Sequence, residues 1–283
     1  PLAFSEYIAW KRDRELKDHY QFAVSNIQKA PQETLDLINQ RFLEFAAYGG
    51  YPAVVLEDDK QEKVNILSEL INSYLTRDIQ IYDYKANTLQ VKKVLTLLAS
   101  QVGSLLDIKS LSINSGLGRT ALENRLELLR QTFILHLHNP FYTNKTKELS
   151  KRPKVYLVDA GFRNMLLENF SIKPGTTDFG YLTENIIAGE LHKQAGPLDK
   201  IFFWRTVRNQ EVDIIKKHEL TLVPFEIKSG NVYKVPEALK SFCKKYNPAF
   251  AYVLNWSIVK EAKFGSTTIL FRPLWFLEFG HAR

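Results

Sequence analysis

A single cysteine, Cys243, stands in 283 residues. An intrachain disulfide is therefore excluded, and so is a zinc site built on thiolates. A reducing, cytoplasmic compartment is the expectation. No apolar run approaches the roughly 18–20 residues that a membrane helix needs. The best stretches are cut by charge, as where Arg205 ends Ile201-Phe202-Phe203-Trp204, so no membrane is expected as a partner. The start, Pro1-Leu2-Ala3-Phe4-Ser5-Glu6, lacks both the basic lead and the apolar core of a signal peptide. It also lacks an initiator methionine, and the chain reads as a fragment of something longer. No Gly-Lys-Ser/Thr follows a glycine-rich turn, so ATP hydrolysis through a P-loop is not expected of this chain. A nucleophile elbow for Ser-His-Asp chemistry is missing too.

What the chain does have is positive charge, and it is concentrated. The formal net charge is +7. Between Lys85 and Val155, twelve lysines and arginines face four acids, a local balance of +8. That is the footprint expected of contact with a polyanion, and DNA is the expected partner.

Three stretches follow one another. Leu2 to Glu44 mixes periodic apolar positions with dense charge and reads as helical, broken by Pro31. Tyr48-Gly49-Gly50-Tyr51-Pro52 is a turn by composition, and Lys60 to Ile79 is an amphipathic helix. From Thr88 the pattern changes. Leu89 to Val102 predicts a helix, Asp107 caps a short second one from Ile108 to Asn114, and Thr120 to Gln131 forms a third. Strands follow at Phe133–His138 and Val155–Val158, with a basic loop from Thr143 to Lys154 between them. Helix, helix, turn, helix, strand, loop, strand is the order of a winged helix-turn-helix. Its recognition helix would present Arg119, Thr120, Asn124 and Arg125. Its wing would present Lys145, Lys147, Lys151 and Arg152. A protein-docking platform, or a merely solvated charged face, is the alternative reading of the same segment.

In the third stretch, Phe162 to Glu168 is a short helix, and Phe179 to Lys193 is a helix apolar nearly all round, hence buried. Strands follow at Lys200–Trp204, Val212–Ile215 and Leu220–Lys228, then a helix from Val235 to Tyr246 and a strand from Ala249 to Leu254. Strand side chains alternate faces. Phe225 and Ile227 therefore share one face, and Glu226 and Lys228 share the other. Val212 and Ile214 likewise leave Asp213 opposite. A carboxylate and an ammonium side by side on an apolar strand must pair, bind something or reach water. Asp213 and Glu226 could converge on one cation, and magnesium accepts one or two carboxylates with retained waters. Glu184 is a third acid on the buried helix, with Glu190 as runner-up. A plain salt bridge for Glu226 and Lys228, a turn cap for Asp213 and a helix-dipole role for Glu184 stay open. His136 and His138 lie two apart on a strand with no third ligand evident nearby.

Glu184, then Asp213, then Glu226-Ile227-Lys228, in helix–three strands–helix–strand order, resembles the PD-(D/E)xK nuclease superfamily. Tyr48-Gly49-Gly50-Tyr51-Pro52, Lys154-Val155-Tyr156-Leu157-Val158-Asp159-Ala160-Gly161, Thr183-Glu184-Asn185, Phe203-Trp204-Arg205-Thr206, Glu211-Val212-Asp213 and Glu226-Ile227-Lys228-Ser229 are more specific. Together they resemble the domain of unknown function at the carboxyl end of prokaryotic AAA-type ATPases. The resemblance implies an ATPase domain upstream, absent from this chain. It implies that Asp213, Glu226 and Glu184 hold Mg2+ (or Mn2+), directly or through water. Lys228 would act on the attacking water or the phosphate, and Arg205 and Arg208 would neutralise backbone phosphates.

The expected architecture is thus mixed, α+β with an α/β element. Helices over 1–84 link to the ATPase, a winged helix-turn-helix covers 85–160, and a restriction-endonuclease-like domain covers 161–283. The expected function is DNA engagement with a magnesium-dependent phosphodiesterase site. The alternative is a catalytically silent DNA-binding or protein-docking module, and homo-oligomerisation through the early helices is a further expectation.

Overall fold

The computed structural model describes residues 1–78, 87–142 and 151–276. The early charged stretch forms α1 (Phe4–Trp10), α2 (Arg14–Ser25) and α3 (Gln32–Tyr48). Asp13 starts α2 by accepting from the Leu16 amide at 2.9 Å, and Pro31 stands immediately before α3, where its missing N–H costs nothing. Two more helices follow, α4 (Pro52–Leu56) and α5 (Lys60–Ser73). Asp59 caps the latter through the amides of Gln61 and Glu62.

The next unit carries α6 (Thr88–Ala99), α7 (Ile108–Ser115) and α8 (Arg119–Gln131). Asp107 caps α7 as expected, accepting from Ser110 at 3.0 Å. Gly116, at φ 75°, ends that helix in the left-handed region that glycine enters freely. Val94, Leu98, Leu111, Leu122, Leu126 and Leu129 form one core with Leu135, Val155 and Leu157. The last three belong to an antiparallel pair, β1 (Leu135–Pro140) and β2 (Lys154–Leu157). The expected order of elements is present, but the pair does not stand alone.

β1 continues in parallel onto β3 (Asp199–Arg205) through Asn139 and Pro140. One eight-stranded mixed sheet results. It adds β4 (Glu211–His218), β5 (Thr221–Ile227), β6 (Phe250–Asn255), β7 (Lys260–Phe264) and β8 (Thr267–Pro273), in the order β2-β1-β3-β4-β5-β6-β8-β7. The sequence reading ended at Leu254, so the β7–β8 hairpin is new. Before β3 come α9 (Ala160–Leu166) and α10 (Thr177–Lys193), and α11 (Glu237–Tyr246) follows β5.

The sheet is covered on both faces. On one, α10 contributes Phe179, Leu182, Ile186 and Ile187 to a core shared with Phe4, Phe42 and Phe45 of the early helices and with Ile214, Phe225 and Ile227. On the other, α11 packs Leu239, Phe242 and the buried Cys243 against Val212, Ile215 and Val253. The second set corrects one expectation. Val212 and Ile214 do not share a face. Trp204 pairs with Val212 but Phe202 pairs with Ile215, so β4 holds one extra residue there. This β-bulge breaks alternation where Asp213 sits, and bulges re-aim side chains.

Candidate functional site

Asp213, Glu226 and Lys228 come together at the bulged end of β4 and β5. Asp213 Oδ2 accepts from the Ile227 amide at 2.7 Å, which ties the bulge to the neighbouring strand. Lys228 Nζ lies 2.7 Å from Glu226 Oε1 and 3.9 Å from Asp213 Oδ2. Glu226 is only 4% exposed, and its Oε2 has no hydrogen-bond partner. Burial, reinforced by the charge of Asp213, pushes the Glu226 carboxyl up to about 8. The Lys228 ammonium is drawn down by burial, but Asp213 and Glu226 outweigh this and hold it above its ordinary value. The result is a buried carboxylate oxygen short of a cation or a proton.

Glu184 of α10 reaches the same cluster from the opposite side, and its partners were not foreseen. Its Oε1 accepts from Lys154 Nζ at 2.9 Å and from the Tyr156 hydroxyl at 2.5 Å. Lys154 Nζ also pairs with Glu211 Oε1 at 2.6 Å, and Glu211 Oε2 lies 3.7 Å from Arg205. Burial and the nearby Asp213 raise the Glu184 carboxyl to about 7 against the pull of Lys154. Glu190, the runner-up acid, does a structural job: it accepts from the Phe4 amide at 3.0 Å and from Lys193 at 2.7 Å. Among the described residues, no group of three His, Cys, Asp or Glu side chains is placed to hold a metal ion.

The positions expected to touch DNA are dispersed. Arg119, Thr120 and Asn124 are exposed on α8, with Arg119 paired to Glu123 at 2.8 Å, and Arg125 is half-buried on the same helix. Lys151 and Arg152 are exposed, the latter held by Asp107 at 2.9 Å. Lys145 and Lys147 lie outside the described residues. Arg205 ends β3 and the exposed Arg208 lies in the β3–β4 turn, where Arg205 donates to Asn209 at 3.0 Å. Arg205 is linked to the acidic cluster through Glu211.

Other signature residues prove architectural. Gly50 donates to Asp159 Oδ2 at 2.7 Å. A side chain on Gly49 would begin 2.1 Å from Asp159, and one on Gly161 would begin 2.0 Å from the Tyr48 carbonyl. The two glycine-bearing motifs are thus one latch between the early helices and the strand end. Asn185 accepts from the Leu157 amide at 2.7 Å and donates to the Leu157 carbonyl at 3.1 Å, closing the free edge of β2. His136 and His138 meet a third imidazole. His138 Nε2 is 2.8 Å from His192 Nε2, and the His136 ring stacks on His192 at 3.9 Å. Burial lowers His136 to about 4 and His192 to about 3, so both are neutral at pH 7.

Comparison with known proteins adds two family matches. A family described as a domain of unknown function (DUF8612) matches residues 39–173, and a second domain of unknown function (DUF4143) matches residues 179–269. The first therefore runs from within α3 past α9, and the second from α10 into β8. An uncharacterized protein of Methanocaldococcus jannaschii is 28% identical over 239 residues, which is 82% of this chain and 50% of that protein. An uncharacterized protein of Haemophilus influenzae is 24% identical over 206 residues, 71% of this chain and 48% of its own length. One from Mycobacterium tuberculosis is 20% identical over 195 residues, 68% of this chain and 44% of its length. The chain thus spans about half the length of the curated relatives it matches. No helix among the described residues is long and apolar enough to cross a membrane.

Proposed function

We propose that this chain is the carboxyl-terminal part of an AAA-type ATPase and that it engages DNA with a metal-dependent phosphodiesterase site of the PD-(D/E)xK kind. The observation that carries the reading is the meeting of Asp213 and Glu226 at Lys228, with the second Glu226 oxygen buried and without a partner. The helix–three strands–helix–strand order of α10, β3, β4, β5, α11 and β6 supports the fold part of it.

A divalent cation, Mg2+ or Mn2+, suits this donor set, since two carboxylates with retained waters and phosphate oxygens are what magnesium takes. Asp213 and Glu226 would hold it. When bound, it supplies a Lewis acid that polarises the phosphate and makes water more acidic. Lys228, which lies between the two acids, would stabilise charge that develops on a phosphate oxygen. Arg205 and Arg208 would meet the flanking backbone phosphates. On this reading α6, α7, α8 and the β1–β2 pair act as a winged helix, with Arg119, Thr120, Asn124 and Arg125 turned toward the groove and Lys145, Lys147, Lys151 and Arg152 toward the backbone.

The test is cleavage of supercoiled plasmid and branched DNA in Mg2+ or Mn2+, beside Asp213→Ala and Glu226→Ala. Wild-type nicking that is lost in both variants is the expected result. A second reading is a catalytically silent DNA-binding or docking module. The engagement of one Glu184 oxygen by both Lys154 and Tyr156 favours it. Folded wild type that binds DNA in a salt-dependent way and leaves it intact would select that reading.

A further inference from the structure

The acidic cluster is not uniform. Four carboxylates (Glu184, Glu211, Asp213 and Glu226) meet three cations (Lys154, Arg205 and Lys228). On one side each acid already has a cation at one of its oxygens. Lys154 Nζ stands between Glu184 and Glu211, at 2.9 and 2.6 Å. The Tyr156 hydroxyl takes the same Glu184 oxygen, and the other Glu184 oxygen lies against Gly103, where a β-carbon would come within 3.1 Å. On the other side Glu226 Oε2 has no partner, and Asp213 accepts from one backbone amide.

Lys154 cannot easily vacate its place. Its side chain is 3% exposed, it packs over the Phe203 ring at 5.5 Å, and its backbone is fixed in β2 opposite His138 and bridged to Leu105. A second divalent ion bound to Glu184 would lie within a few ångströms of this ammonium. With the Lys154 side chain 3% exposed and that of Glu184 12% exposed, water screens little of the repulsion, and pulling the ammonium away would strand it unpaired, which buried charges do not tolerate.

We propose that Lys154 is the resident cation of this site: it holds Glu184 and Glu211, and so confines the cluster to a single divalent ion, at Asp213 and Glu226. Lys154 is then a positioning residue, delivered by the strand pair that follows α8. The inference rests on the metal reading above and narrows it, since it removes Glu184 from the ion's ligands.

Mn2+ titration of the whole chain, followed by the paramagnetic resonance signal of the free ion and by calorimetry, tests it without recourse to activity. Wild type is expected to bind one Mn2+ per chain. Asp213→Asn and Glu226→Gln should each weaken binding by about tenfold or more, whereas Glu184→Gln and Glu211→Gln should change it by less than about fivefold. Lys154→Met, which keeps the length and removes the charge, should admit a second Mn2+, and Lys154→Arg should not. Two ions in wild type, a tenfold loss in Glu184→Gln, or a single ion in folded Lys154→Met would overturn the proposal and leave the metal reading standing. If Lys154→Met does not fold, the Glu184→Gln and Glu211→Gln titrations decide alone. Absence of any Mn2+ binding by wild type would overturn the metal reading, and this proposal with it.

Discussion

Replacing Asn185 by leucine removes two hydrogen bonds to one residue of β2 while keeping the number and branching of heavy atoms in a somewhat larger side chain. Val155 has its outward backbone groups taken by Gly103 and Ser104, so the edge of β2 is continued there by main chain. Two residues on, the Asn185 amide alone does that work for Leu157, with bonds of 2.7 and 3.1 Å at a position with no exposure. In the leucine variant one N–H and one C=O are left buried without partners, at about 1–3 kcal/mol each. The added apolar burial offsets about 1–2 kcal/mol of this. A net loss of about 1–4 kcal/mol is expected, a large part of a stability of roughly 5–15 kcal/mol. Urea unfolding followed by tryptophan fluorescence measures it, and the melting temperature should fall by about 4–10 °C. Because β2 also carries Lys154 and Tyr156, the loss should come with weaker restraint of Glu184. A change under about 0.5 kcal/mol, the range of ordinary surface substitutions, would refute the assignment of Asn185 as the edge partner.

Further outcomes follow from the same geometry. Gly49→Ala should destabilise by more than about 2 kcal/mol, because the backbone is at φ 76° and the new carbon would overlap Asp159; a thermal melt within 1 °C of wild type would contradict this. Glu226 keeps its proton in the folded state to about pH 8, whereas the unfolded chain releases it near 4.5. Its contribution to stability is therefore fully present below the lower value and is lost as pH rises through the upper one. Metal-free wild type should lose stability relative to Glu226→Gln between pH 5 and 9, and parallel curves for the two would contradict the assignment. Lys228→Ala should lower cleavage by about a hundredfold or more while Mn2+ binding persists, and loss of both together would make Lys228 structural. The pair Arg119→Ala and Asn124→Ala should weaken DNA binding, and the arginine change should reduce the salt slope by about one. An unchanged slope would remove α8 from the DNA interface.

The parts of the site that were legible in the sequence are those set by local pattern. Alternation along Phe225-Glu226-Ile227-Lys228 was enough to pair Glu226 with Lys228, and the apolar wheel of α10 was enough to bury Glu184. The turn chemistry of Asp107 and Gly116 was local as well. What escaped depends on distant contacts. Alternation fails at Asp213 because β4 carries an extra residue, and nothing in Glu211-Val212-Asp213-Ile214 marks a bulge. Lys154 read as the end of a basic loop, yet it enters the sheet and becomes one of the most buried lysines of the molecule. Its partner Glu211 and the hydroxyl of Tyr156 could be found only once β2 lay beside α10. His192 is 54 positions from His138 and joins it in the same way. The β7–β8 hairpin was missed because Lys260-Glu261-Ala262-Lys263-Phe264 is half-exposed and charged at the sheet edge, which hides its alternation.

Anomalous diffraction from crystals of the chain grown in Mn2+ would locate the ion. One peak is expected, about 2.1 Å from a carboxylate oxygen of both Asp213 and Glu226, with Lys154 still between Glu184 and Glu211. A peak ligated by Glu184, or crystals saturated with Mn2+ that show no peak at Asp213 and Glu226, would contradict this expectation.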